Sequence, residues 1–138
     1  MCRCNKATFE AYNSSPQALV ENGIVEFASY ETTGCGISAV GSTGVRLKKS
    51  GNYLITVSAT IGGTGNVSLQ LFRDGVAIPY ALATANSTGV ATPQAISFTK
   101  LIKVNESCRC VDNATTLTVR NVGVDATVTD IIVDVIKQ

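Results

Sequence analysis

Histidine and tryptophan are missing from this 138-residue chain, and charged residues make up only 15% of it. With no imidazole, every mechanism that relies on a histidine base, nucleophile partner or metal ligand is excluded. No glycine-rich loop stands between a strand and a helix to cradle a phosphate. The formal net charge is +1, so no basic field exists to hold a nucleic-acid backbone, and nucleic acid is not expected as a partner. No apolar run reaches the roughly 20 residues of a membrane span. The opening Met1-Cys2-Arg3-Cys4-Asn5-Lys6 leads into no apolar segment, so neither a secretory signal nor membrane insertion is expected. Aromatic side chains are few, at 6%, and scattered, which leaves no stacking platform for carbohydrate or single-stranded nucleic acid.

What the chain does contain is Val, Ile, Ala and Leu mixed with Thr and Ser, the composition of pleated, half-buried strands. The length suits one domain over residues 1–138, with residues 1–6 as an N-terminal arm carrying the first Cys-Arg-Cys. Period-two alternation recurs throughout and is punctuated by Gly, Asn, Asp and Ser, which predicts about ten short strands in an all-β sandwich. Strands are expected over residues 7–12, 19–30 with an interruption near Asn22-Gly23, 37–40 and 45–48. The clearest is 52–61, where Tyr53, Ile55, Val57, Ala59 and Ile61 form a core face opposite Leu54, Thr56, Ser58 and Thr60.

Gly62-Gly63-Thr64-Gly65 reads as a turn into a strand over 66–73. Asp74-Gly75 then signals a tight hairpin, because both central residues of a type I′ turn need positive φ, and the return strand is expected over 76–83. Residues 85–93 read as a loop, 95–104 as a strand whose apolar face is interrupted by Lys100, and 105–113 as a second long loop. Strands over 115–122 and 127–136 close the chain. In the last, Ile131, Val133 and Val135 oppose Asp130, Ile132, Asp134 and Ile136.

Four of the five cysteines form two Cys-Arg-Cys triplets, Cys2/Cys4 and Cys108/Cys110. Residues at i and i+2 of an extended segment point the same way, so each triplet presents two sulfurs to one place. Brought together, the four would suit tetrahedral zinc or disulfide stapling, and free thiols are the third alternative. Cys35, between two glycines, reads as a small buried or loop residue, since no base can be named for it. Asp130 and Asp134 share a strand face and read as a solvated surface that discourages edge pairing rather than as an acid–base pair. Asn-x-Ser/Thr triplets at Asn13, Asn66, Asn86, Asn105 and Asn113 read as consequences of a Ser- and Thr-rich chain. Neither an enzymatic activity nor a cofactor is expected.

The order of these features resembles the C1q and tumour-necrosis-factor superfamily of jelly rolls. The resemblance rests on Gly51-Asn52-Tyr53-Leu54-Ile55, similar to the family's Gly-x-Tyr strand opening. The Leu69-Gln70-Leu71-Phe72-Arg73-Asp74-Gly75 hairpin and the closing strand near the C-terminus add to it. The low aromatic content is closer to related domains of bacteriophage structural and bacterial spore-surface proteins. The resemblance implies a jelly roll that assembles as a homotrimer, with Leu54, Thr56 and Ser58 near the threefold axis; Ile132 and Ile136, opposite the core side chains of the last strand, are candidates for the same interface, the alternative being a second internal layer of the chain's own sandwich. It further implies a structural, decoration or adhesion module of a larger particle, such as a phage capsid or fibre, assembled in the host cytoplasm onto the virion surface beside other particle proteins. The alternative it offers is a module that recognises a cell-surface ligand, with residues 85–93 and 105–113 as recognition loops.

Overall fold

The computed structural model describes residues 6–105 and 114–138. Among these the chain forms ten strands and no helix: β1 (Thr8–Asn13), β2 (Gln17–Leu19), β3 (Ser29–Thr33), β4 (Ile37–Val40), β5 (Gly44–Leu47), β6 (Gly51–Arg73), β7 (Val76–Thr88), β8 (Gln94–Val104), β9 (Thr115–Asn121) and β10 (Ala126–Lys137). All pairings are antiparallel. One sheet, here called A, runs β3-β1-β10-β6-β8, with β2 alongside the start of β10. The other, B, runs β4-β5-β9-β6-β7.

The two sheets share β6. Its first half pairs with β10 and β8 in sheet A, and its second half pairs with β9 and β7 in sheet B. The expected turn at Gly62-Gly63-Thr64-Gly65 is therefore a continuation of the strand, at the point where it passes between sheets. Gly62 and Gly63 are needed there for clearance, whereas Gly65 takes a φ of 124°. A Cβ on Gly62 would stand 3.0 Å from the Val90 carbonyl oxygen, and one on Gly63 would stand 2.8 Å from that of Asp125.

Alternation along the strands aims one row of side chains inward from each sheet, and the rows meet in a single apolar core. Tyr53, Ile55, Val57 and Ile61 of β6 are almost fully buried, as are Val128, Val133 and Val135 of β10 and Leu47 of β5. Each such aliphatic side chain contributes about 1.5–3 kcal/mol relative to exposure. The Tyr53 hydroxyl satisfies itself at the margin of this core by donating to the Lys49 carbonyl at 2.6 Å. Asp74 and Gly75 take φ of 50° and 83°, as the hairpin between β6 and β7 requires.

Two boundaries differ from expectation. The segment 85–93 is a loop only over 89–93: β7 runs on to Thr88, because small alternating residues pair with the glycine-rich middle of β6 as readily as they form a loop. The segment 19–30 is divided, since β2 ends at Leu19 and β3 begins at Ser29, leaving 20–28 outside both. Between them Asn22 turns with φ of 67°, and residues 22–25 hydrogen-bond β9 through Asn22 N to Asn121 O, Asn121 N to Gly23 O and Val25 N to Val119 O. Buried Asn121 locks this segment down. Its side-chain amide donates to the carbonyls of Leu19, Val20 and Val124 at 3.1, 3.3 and 2.9 Å, while its oxygen accepts from Gly123 N at 3.0 Å.

Candidate functional site

The outward face of sheet A is organised by register into rows that cross the strands. One row reads Thr33, Thr8, Ile136, Leu54, Leu101, and the next reads Glu31, Glu10, Asp134, Thr56, Thr99. A third reads Ser29, Tyr12, Ile132, Ser58, Ser97. Leu54, Thr56, Ser58, Ile132 and Ile136 thus share one contiguous face. Tyr12 and Leu101 join them and were missed, because which strands lie beside 52–61 is a property of the pairing and not of any one strand's alternation. Ile136 is 45% exposed and Leu101 55%, so an apolar stripe through Leu54 stands open to its surroundings in the single chain. The hydroxyls of Thr56 and Thr99 lie 3.4 Å apart across the next row.

That next row also carries three carboxylates on adjacent strands, with Glu10 directly opposite both Asp134 and Glu31. A groove of about 330 Å³ opens here, lined by Thr8, Glu10, Glu31, Thr56, Asp134 and Ile136 among others. The Glu10 carboxyl is pushed above its ordinary range, first by the hydrogen bond it shares with Asp134, then by desolvation, then by the charges of Asp134 and Glu31.

The lateral edge beside this face has an unusual composition. From Gly75 to Thr99 the chain contains no Asp, Glu, Lys or Arg. This stretch supplies all of β7, the outermost strand of sheet B, and the first half of β8, the outermost strand of sheet A. Free edges of sheets are ordinarily guarded by charge, yet here Val76, Tyr80, Leu82 and Val90 are exposed instead. Tyr80 lies where the register of β7 on β6 shifts; it has φ of 67° and is 90% exposed. A bulky side chain in the left-handed region is a rare conformation held at a cost.

Asp130 and Asp134 do lie on one face, but β10 is flanked by both β1 and β6, so they guard no edge. That expectation failed because the position of a strand within its sheet is set by partners remote in sequence. Cys2, Cys4, Cys108 and Cys110 lie outside the described residues. Cys35 lies partly buried in the bend between β3 and β4, as expected of a loop residue, and is disulfide-bonded. Among the described residues no three His, Cys, Asp or Glu side chains are grouped to hold a metal ion. No helix among them is long and apolar enough to cross a membrane.

No protein-family model matches the chain, and no curated protein matches it in sequence. Solved structures do match in fold. An Eiger TNF from S. frugiperda is 12% identical, with 96% of this chain and 91% of that one covered at a TM-score of 0.70. The globular domain of zebrafish complement 1qA is 11% identical, with 96% of each chain covered at 0.69. The PRD1 vertex protein P5 is 15% identical, with 96% of this chain and 72% of that one covered at 0.57. The fold is a C1q/TNF-like jelly roll, as the strand pattern and the Gly51-x-Tyr53 opening led us to expect.

Proposed function

We propose that this jelly roll is a non-enzymatic assembly module, a homotrimer that forms part of the surface of a larger particle such as a phage capsid or fibre. The observation that carries the reading is the presence on one chain of two surfaces with exposed apolar side chains. One is the uncharged lateral edge of β7 and β8, and the other is the open face built on Leu54, Thr56, Ser58, Ile132 and Ile136. A contact between two different surfaces of the same chain is heterologous, and such contacts close into rings when the rotation allows. The likeness in fold to both a complement domain and a phage vertex protein supports a module of this class without fixing the particle.

The test is native mass spectrometry and light scattering of the wild type and of Leu54→Asp. Leu54 is half-buried in the single chain, so aspartate there is tolerated by the protomer but places an unpaired charge within a closed interface. The expected result is a wild-type trimer and a monomeric or insoluble variant, with Lys49→Asp on the exposed turn before β6 remaining trimeric. A Leu54→Asp protein that stays trimeric refutes the interface.

Tyr80 favours a second reading, a module that recognises a cell-surface ligand. Its exposure and strained backbone are those of a presented contact residue. Tyr80 lies on the β7 edge that the first reading buries, so Tyr80→Ala that abolishes attachment while leaving the oligomeric state unchanged would select this second reading.

A further inference from the structure

The carboxylate row on the outward face of sheet A separates like charges by no more than the spacing of adjacent strands. Glu10 faces Asp134 on one side and Glu31 on the other, and like charges directly opposite one another across a sheet are unfavourable. The remaining neighbours in the row, Thr56 of β6 and Thr99 of β8, carry no charge, and the rows on either side contribute Thr8, Ile136, Tyr12 and Ile132 around Glu10. Asp130, further along β10, adds a fourth acid to the same face. Register puts two cations at this face's far margin: Lys6, two residues before Thr8, and Lys103, opposite Asn52 at the end of β8. Lys137 alternates to the other side, where its chain lies against Gly51.

We infer that assembly through this face is coupled to proton uptake, so that the trimer is favoured by mild acid and loosened at neutral and alkaline pH by the Glu31–Glu10–Asp134 row. The inference rests on the trimer reading above. Covering the groove removes water from three carboxylates that have no cation beside them in the row, and desolvation favours the neutral acid. One proton held between Glu10 and Asp134 turns a repulsive pair into a hydrogen bond, with the Glu10 hydroxyl donating to the Asp134 carboxylate. The geometry already favours that proton in the single chain, which holds the Glu10 carboxyl above its ordinary range. The sign follows directly: the state that binds more protons gains as pH falls.

The measurement is the protomer concentration at half-assembly, by analytical ultracentrifugation, between about pH 8 and about pH 5, a window in which unperturbed Asp and Glu stay largely ionised. If each protomer takes up one proton, the midpoint falls by as much as about 30-fold per pH unit through the carboxyl's range. Glu10→Gln and Asp134→Asn, which keep shape and lose charge, are each expected to assemble at a midpoint that moves less with pH than the wild type's, since two of the three carboxylates remain. At about pH 8 that midpoint should lie below the wild type's, because the repulsion that opposes assembly at alkaline pH is gone. Circular dichroism on each variant confirms that the protomer is folded. A wild-type trimer whose midpoint is flat with pH overturns this inference and leaves the trimer standing. So does one that weakens in acid, which would mean that a neighbour's cation meets the ionised row. A protein monomeric at every pH overturns both.

Discussion

Replacing Asn121 with alanine should be costly to this domain while leaving its surface unchanged. The side chain is fully buried, and its two amide hydrogens serve three carbonyls, those of Leu19, Val20 and Val124, while its oxygen accepts from Gly123 N. Two hydrogens and one acceptor amount to about three net hydrogen bonds at about 1 kcal/mol each. The Val20 carbonyl keeps its bond from Gly23 N at 2.9 Å, so the larger penalty for fully orphaned groups does not apply to all. The expected loss is therefore about 3 kcal/mol, or about 10 °C in Tm for a domain of this size. Urea and thermal denaturation at one fixed protomer concentration would measure it, since assembly shifts apparent stability by mass action. Asn66→Ala is the control: its side chain meets Asn86 at 3.3 Å on an exposed surface, and it should cost less than about 0.5 kcal/mol. A loss below about 1 kcal/mol in Asn121→Ala would show that the segment 19–25 is held by its backbone bonds alone and would refute the assignment of Asn121 as its lock.

Gly123→Ala should destabilise by more than about 2 kcal/mol in the same denaturation assay, because the added Cβ would stand 2.4 Å from the Asn66 carbonyl oxygen and 2.8 Å from Ser68 N, both backbone atoms that cannot rotate away. Tyr53→Phe removes the bond to the Lys49 carbonyl and is expected to cost about 1 kcal/mol at neutral pH. Burial raises the Tyr53 hydroxyl's pKa above that of an unfolded tyrosine, so the folded state keeps its proton where the unfolded state has lost it. Wild-type stability should thus fall as pH rises above about 10, and the difference between wild type and Tyr53→Phe should shrink over that range in urea melts.

Period-two alternation depends only on which side of the pleat a residue occupies, and this is a local property. It was therefore enough to mark Tyr53, Ile55, Val57, Ala59 and Ile61 as core and Leu54, Thr56 and Ser58 as the opposite face, and to place β1, β4, β5, β9 and β10 within a residue or two. The Asp74-Gly75 hairpin was equally legible, because positive φ at two adjacent positions is a demand that few residue pairs meet. Composition alone disposed of histidine-based chemistry.

Tertiary structure decided everything that depends on neighbours remote in sequence. Gly62-Gly63-Thr64-Gly65 looks like a turn because glycine permits one, and becomes a strand because β10 and β7 supply partners and the backbones at Val90 and Asp125 press close. Glu10, Glu31 and Asp134 are unremarkable acids along the chain, and only the pairing of β3, β1 and β10 sets them in one row. Leu101 joins Leu54 and Ile136 for the same reason. A strand's own residues determine which of its faces is apolar, but what lies across that face is settled by register, and register is a property of the whole sandwich.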